Sequence, residues 1–260
     1  MSPPLLEVAG LVRRFGGVVA ADQLSFVVAP GELLGLIGPN GAGKTTVLRL
    51  IAGILRPEHG TIVFRGEDLT QQPTHRRVRS GLGLTHQLVR PFRSLSVVEN
   101  VMIAAGSRHT RSPFAALCRL SRAAERRRAE AILRRVGLHD VADQRPLALP
   151  LGRRKRLELA RALALEPALL LLDEPMAGLN TGEAAALGDL IVALNRSGMT
   201  ILLVEHNLAE VMRIAGRLLV LDAGRAIADG APRDVMRQPA VQLAYVGVVE
   251  SGATASDEPG

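Results

Sequence analysis

The stretch Gly38-Pro39-Asn40-Gly41-Ala42-Gly43-Lys44-Thr45-Thr46 limits what this chain can become more than any other. It satisfies G-x-x-x-x-G-K-[ST], and its flanks supply the context that gives the pattern meaning. Leu33-Leu34-Gly35-Leu36-Ile37 before it is a short apolar run of buried parallel-strand type. Val47 to Gly53 after it places apolar residues at helical spacing, with Gly53 at a plausible stop. A strand, a glycine-rich turn and a helix start form a trap for phosphate. The helix N-terminus offers unpaired N–H groups and the positive end of its dipole. Glycines at 38, 41 and 43 let the backbone wrap a phosphate where a Cβ would collide or forbid the required φ. Lys44 then reaches the β/γ oxygens, and the Thr45 hydroxyl is placed to ligate Mg²⁺. The expected ligand is a magnesium nucleoside triphosphate.

A chain of 260 residues accommodates one α/β domain, with room for an inserted lobe, and is too short for two complete nucleotide-binding cassettes. No apolar run approaches the ~20 residues of a spanning helix. Met1-Ser2-Pro3-Pro4 lacks the basic-then-apolar pattern of a leader. The expectation is a cytosolic protein, or one held at a membrane by a partner. The single cysteine, Cys118, leaves no internal disulfide. A net charge of +7 permits nucleic acid or anionic lipid as a partner, but with no Trp and one Tyr the chain lacks the stacking groups of single-strand binders. The basic excess reads as a solvated or membrane-facing surface, and no nucleic-acid partner is expected.

Along the chain, 5–8 and 25–28 read as strands, as do 61–64, 168–172, 200–204, 218–222 and 225–228. Ser96-Val97-Val98-Glu99 matches a capping box opening a helix to about Ala105, and 115–136 reads as an Arg-rich amphipathic helix closed by Gly137. A further helix is expected from Gly182 to Arg196, capped by Thr181. Apolar strands without polar alternation, separated by helices, argue a mostly parallel sheet covered on both faces. Residues 88–159 break that rhythm with helices only and read as an inserted helical lobe between core segments 1–87 and 160–247. The small, polar stretch 248–260 is expected to be a disordered tail.

Leu169-Leu170-Leu171-Leu172-Asp173-Glu174 is the second strong signal. A carboxylate at the C-terminal end of a buried parallel strand points into the crevice where α/β ligands bind. Asp173 is expected to hold Mg²⁺, directly or through water, and Glu174 to orient and polarise the attacking water.

With those two motifs in place the chain resembles an ATP-binding cassette (ABC) ATPase over residues ~5–247. The resemblance implies an α/β fold with a P-loop NTPase (RecA-like) core, an antiparallel β subdomain and the helical lobe. It also implies ATP as ligand and hydrolysis coupled to transport. Gln87 falls at the family's glutamine loop, His206 at its switch histidine, and Ala177-Gly178-Leu179-Asn180 in place of its D-loop. By that likeness Phe15 stacks on adenine, Gln87 touches Mg²⁺ or the attacking water, and His206 hydrogen-bonds the γ-phosphate. Phe15-Gly16-Gly17, Glu99-Asn100-Val101, Ser112-Pro113-Phe114, Arg156 to Ala162, Asp173 to Asn180, Val204 to Asn207 and Ala244-Tyr245-Val246-Gly247 are similar to the subunits of branched-chain amino acid (Liv-type) importers.

One segment departs from the family. Where the signature normally carries Ser, a variable residue, Gly and Gln, this chain has Pro150-Leu151-Gly152-Arg153. Pro150 has neither the hydroxyl nor an N–H, although proline suits a first helical turn. Gly152 keeps close backbone approach to the ATP of an opposite subunit, and Arg153 adds a charge. The expectation is an asymmetric pair, with the site completed in trans by Pro150 and Gly152 impaired, or else a neutral substitution. The resemblance further implies a second ABC ATPase subunit (a heterodimer favoured), two transmembrane permeases and a periplasmic or extracellular substrate-binding protein, with this chain peripheral on the cytoplasmic face of the plasma (inner) membrane. Branched-chain amino acids or related solutes are the expected cargo. Amide or urea import, lipid export and a soluble non-transport ABC ATPase are the alternatives. The Arg-rich helix, including Arg119, Arg122, Arg126, Arg127, Arg128, Arg134 and Arg135, is either a solvated face or a contact for anionic headgroups.

Overall fold

The structure, a computed structural model, describes residues 3–85, 91–106 and 122–245. Gln87, Ser112-Pro113-Phe114, Cys118, Arg119 and the tail 248–260 lie outside them. The chain divides into two compact units, 1–74 with 200–260 and 75–199.

In the first unit, β1 (Leu6–Phe15), β2 (Val18–Val28), β4 (His59–Phe64) and β5 (Glu67–Asp68) form an antiparallel sheet in the order β2-β1-β4-β5. β1 and β2 run well beyond the short segments expected at 5–8 and 25–28. Their pairing continues through register shifts out to the hairpin tip, where Phe15 pairs with Val18. The sequence hides this because Arg13, Arg14, Asp22 and Gln23 interrupt the apolar period.

The same unit holds β3 (Leu33–Ile37), wholly buried and flanked by two parallel neighbours, β8 (Thr200–Val204) and β9 (Arg217–Asp222). β10 (Arg225–Gly230) returns antiparallel to β9. Because β3 pairs on both edges, all five of its residues are buried, which is why the run reads as unbroken hydrophobe. The register sets Leu36 against Val204 and Leu219, so β3 and β8 end within one residue of each other and β9 runs on to Asp222 in the same direction. Whatever follows them in sequence therefore leaves from one edge, the usual position for ligands in α/β sheets. Arg217 anchors the opposite end: its guanidinium donates to Asp229 at 2.6 and 2.7 Å, to Glu32 at 3.0 Å and to the Val27 carbonyl at 3.1 Å.

In the second unit, β6 (Leu82–Thr85) pairs in parallel with β7 (Leu169–Asp173), Thr85 opposite Leu172. α2 (Thr74–Ser80) opens it and was invisible to periodicity, since THRRVRS has a single aliphatic residue. α3 (Val97–Gly106) begins at the expected capping box: the Ser96 hydroxyl accepts from the Glu99 N–H at 3.3 Å, and the Glu99 carboxylate accepts from the Ser96 N–H at 2.8 Å. Val97, Val98 and Val101 are buried, as are Ala129 and Leu133 of α4 (Arg122–Arg135), Val136 just beyond it and Leu157 of α5 (Leu151–Leu163). Burying each branched side chain contributes about 1.5–3 kcal/mol. Asn100 explains its place in the Glu99-Asn100-Val101 triplet. Fully buried, it accepts from the Phe92 N–H at 2.8 Å and donates to the carbonyls of Phe92, Leu95 and Ser96, closing the turn that leads into α3.

α6 (Thr181–Arg196) is capped by Asn180 and not by Thr181. The Asn180 side chain accepts from the Glu183 N–H at 2.9 Å and Glu183 reaches back to the Asn180 N–H at 3.3 Å. The box needs its acid three residues after the cap, and Glu183 stands three after Asn180; Thr181 would have Ala184 there. α7 (Leu208–Ile214), the single turn α8 (Pro232–Val235) and helical residues 239–245 complete the first unit.

Candidate nucleotide site

The first unit brings the glycine loop together from three directions. β3 ends at Ile37, Gly38 turns with φ 150°, and α1 (Lys44–Ile51) starts directly after Gly43, whose φ is 99°. A Cβ on Gly43 would lie 2.0 Å from the Ala20 carbonyl oxygen of β2, and one on Gly38 would lie 2.1 Å from the Leu221 carbonyl oxygen of β9. No L-side chain fits either place, so glycine here is required by close backbone approach as well as by φ. The third contact comes from the β9–β10 turn. The Gly224 N–H donates to the Ala42 carbonyl at 3.1 Å, and the Gly224 carbonyl accepts from the Asp22 N–H of β2 at 3.0 Å. Gly41 is different: its φ is 83° and open space surrounds its added Cβ, so only the backbone turn demands glycine.

Lys44 is buried, and its Nζ donates to the carbonyls of Gly38 and Pro39 at 2.8 Å each. The ammonium thus lies over the mouth of its own loop, which is where a terminal phosphate needs a cation. The Gly43 N-cap has no side chain to occupy the helix N-terminus. Donor set and cradle both fit the phosphates of a nucleotide.

Phe15 reaches this neighbourhood through the hairpin register. Its partner Val18 is two residues before Ala20, the residue whose carbonyl meets Gly43. At ~3.4 Å per strand residue the backbone position paired with Phe15 is roughly 7 Å along β2 from that contact. Phe15 is 42% exposed and so presents a ring that can be stacked upon.

His206 follows β8 at the edge where β3 delivers the glycine loop. Its side chain is 56% exposed, and its Nδ1 stands 3.9 Å from Oε2 of Glu205, which is completely buried. The same oxygen accepts the His206 backbone N–H at 3.3 Å. A second residue that sequence reasoning did not assign to the loop is Tyr245. Its phenol lies beside the Gly38 backbone, and burial pushes its pKa up to about 12. Only its contiguity with Ala244 in the family-like ending hinted at it.

The second unit carries the carboxylates. Asp173 closes β7 and is buried, and Glu174 follows in the left-handed region with φ 47°. For a non-glycine residue that conformation is uncommon and is concentrated at functional sites. The buried Lys155 of α5 donates to the Glu174 carbonyl at 3.4 Å. Pro150 is the N-cap of α5, with φ −55° and ψ 159° and no side-chain cap. Its carbonyl still accepts from the Arg154 N–H at 3.0 Å, so the helix starts normally. A Cβ on Gly152 would come within 3.0 Å of Glu183 Oε1, which gives this glycine a packing reason inside its own chain. Arg153 is paired with Asp140 at 2.7 Å, and that guanidinium holds the Asp140 carboxyl below the usual carboxylate range.

The ABC transporter family model matches residues 21–177, more than half the chain. This chain belongs to the ABC transporter family. The cassette is 40% identical over 253 residues to the high-affinity branched-chain amino acid transport ATP-binding protein LivG of Escherichia coli (strain K12), covering 95% of this chain and 99% of LivG. It is 38% identical over 254 residues to BraF of Pseudomonas aeruginosa, also a high-affinity branched-chain amino acid transport ATP-binding protein. It is 35% identical over 243 residues to the lipopolysaccharide export system ATP-binding protein LptB of Acidithiobacillus ferridurans, covering 94% of this chain and 97% of LptB. Among solved structures, the ADP conformation of an ATP-binding cassette of an ABC transporter superposes with a TM-score of 0.83 at 28% identity, over 95% of this chain and all of that one. The chain is accordingly an ATPase cassette with the α/β P-loop fold expected from its sequence.

The cradle makes a sharp prediction. Gly43→Ala puts a methyl against the Ala20 carbonyl, and equilibrium binding of Mg·ATP is expected to weaken at least ~10-fold, whereas Gly41→Ala, which meets no atom, is expected to lose less. Equal losses would show that φ alone, and not the approach of β2, shapes the loop.

Proposed function

We propose that this chain is the ATP-hydrolysing subunit of an importer for branched-chain amino acids or related small solutes, working on the cytoplasmic face of the membrane beneath partner permeases. What carries this reading is its end-to-end likeness to LivG and BraF, in a chain whose phosphate cradle is fully built. No helix among the described residues is long and apolar enough to cross a membrane, so translocation is assigned to other chains.

The proposed division of labour follows from the chemistry of each residue. Residues 38–46 hold the triphosphate, Lys44 neutralising its β/γ oxygens, and Phe15 stacks on adenine. Thr45, Asp173 and Gln87 are assigned to Mg²⁺. Among the described residues no cluster of three His, Cys, Asp or Glu side chains forms a metal cage. Mg²⁺ is commonly held through one or two protein oxygens plus substrate phosphates, which suits a hydroxyl and one carboxylate. The metal would neutralise charge developing on the transferred phosphoryl group. Glu174 takes the proton of the attacking water or orients it, and His206 donates to the γ-phosphate, its ring oriented by Glu205.

We also propose that the chain pairs with a non-identical cassette. Pro150 offers no hydroxyl to an ATP held opposite, and Arg153 is engaged with Asp140. A partner with an intact signature would complete the site built on residues 38–46, and the site facing Pro150 would turn over poorly. A periplasmic or extracellular binding protein would deliver the cargo, with the core assigned to residues 1–87 and 160–247, the helical lobe to 88–159 and a tail to 248–260.

The test is co-expression with candidate permeases and a second cassette, purification of the complex and ATPase assay with candidate solutes. Stimulation by a branched-chain amino acid with its binding protein is the expected result; stimulation only by lipopolysaccharide or another lipid would replace the importer reading with an export one. In that complex Glu174→Gln is expected to lower hydrolysis at least ~10²-fold while ATP stays bound, and hydrolysis near the parent rate would remove Glu174 from the base role. Pro150→Ser is expected to raise turnover; an unchanged rate would refute the impaired second site.

A further inference from the structure

One face of the Phe15 ring already has a partner. The guanidinium carbon of Arg13 stands 4.8 Å from the ring centroid, within the range of a cation–π contact. Arg13 is itself held in place: its Nη1 donates to the Arg56 carbonyl at 3.2 Å and lies 3.9 Å from Glu58 Oε1. That same carboxylate oxygen accepts the Arg14 backbone N–H at 2.9 Å, so Glu58 ties down the strand and the guanidinium together. The remaining donor is informative. Arg13 Nε is buried with no hydrogen-bond partner. A guanidinium placed only to satisfy its donors would not leave one stranded away from water. Stacking against the ring accounts for the position that hydrogen bonding does not.

The ring needs such a brace. Phe15 sits at a hairpin tip beside Gly16-Gly17, with Gly16 at φ 56°, and has 42% of its surface in solvent. A side chain that exposed loses rotamer freedom when a ligand stacks on it, and that loss weakens binding. A cation fixed under one face removes part of the freedom beforehand and leaves the opposite face open.

We propose that Arg13 is a positioning residue for base recognition, clamping one face of Phe15 so that the other receives a purine in a guanidinium–ring–purine stack. This rests on the reading of Phe15 as the adenine platform. The stack offers no base-edge hydrogen bond, so it selects a flat purine over no base at all and contributes nothing to the phosphates.

The experiment separates base from phosphate. The full-length chain and its Arg13→Gln, Arg13→Lys, Phe15→Ala and Arg13→Gln/Phe15→Ala variants are titrated with Mg·ATP and, in competition, with Mg·tripolyphosphate, which has no base. Arg13→Gln is expected to weaken ATP ~2- to 5-fold, the equivalent of one partly exposed cation–π contact, with tripolyphosphate affinity unchanged. Arg13→Lys is expected to recover part of the loss, and the double variant to bind ATP no more weakly than Phe15→Ala alone. A loss shared equally by tripolyphosphate, no loss at all, or additive losses in the double variant would overturn the brace. If Phe15→Ala itself leaves ATP affinity intact, the platform reading fails and the brace with it. If Phe15→Ala weakens ATP but Arg13→Gln does not, the platform stands and only the brace is lost.

Discussion

Backbone meeting backbone is what the first unit depends on. The glycine loop does not keep its shape by its own sequence alone. The Ala20 carbonyl of β2 stands against Gly43, the Leu221 carbonyl of β9 stands against Gly38, and the β9–β10 turn hydrogen-bonds Ala42 through Gly224. Each contact leaves no room for a Cβ or occupies a polar group that would otherwise need water. The strands that surround the loop thereby fix the direction of the α1 N-terminus, and with it the field in which a triphosphate is held. Lys44, folded back onto the Gly38 and Pro39 carbonyls, supplies the cation at the same spot.

From that cradle the rest of the first unit can be read outward. The hairpin that supplies Ala20 also carries Phe15 at its tip, so one pair of strands both shapes the glycine loop and presents an exposed aromatic ring. The parallel register of β3 and β8 puts His206 at the edge where the loop begins, with the buried Glu205 carboxylate 3.9 Å from its Nδ1. At the far end of the chain Tyr245 returns to Gly38, joining the C-terminal helical residues to the start of the loop. In the second unit the same economy holds: a fully buried strand ends in Asp173, and Glu174 turns away from it in a conformation that ordinary residues avoid.

How much of this the sequence disclosed depends on how local each feature is. The glycine loop, the Leu-rich strands β3, β7 and β8 and the Ser96–Glu99 capping box are written within a few residues, so all were legible. β1 and β2 were cut short because their polar residues at 13, 14, 22 and 23 mask a strand stabilised by its neighbour and not by its own hydrophobicity. α2 carries no apolar stripe and was missed; its Arg77 is nonetheless buried. The Asn180 cap was available from its spacing to Glu183, and Thr181 was the wrong choice between two adjacent cap formers. Arg13 under Phe15, Lys155 on the Glu174 carbonyl and Tyr245 at Gly38 could not be read in advance, since each joins side chains or backbone whose proximity only the folded chain creates. The family resemblance gave expected roles for residues; it did not give the contacts that hold them in place.

Nucleotide binding by this chain depends on a triphosphate held by the glycine cradle and Lys44. Calorimetric titration of the full-length chain with Mg·ATP, alongside Lys44→Ala, tests that most directly. The prediction is saturable one-to-one binding that weakens at least ~10-fold in the variant, as expected for removing a charge-assisted contact of about 1.5–3 kcal/mol. Binding of equal strength in both proteins, or none in the parent alone or with its membrane partners, would contradict it.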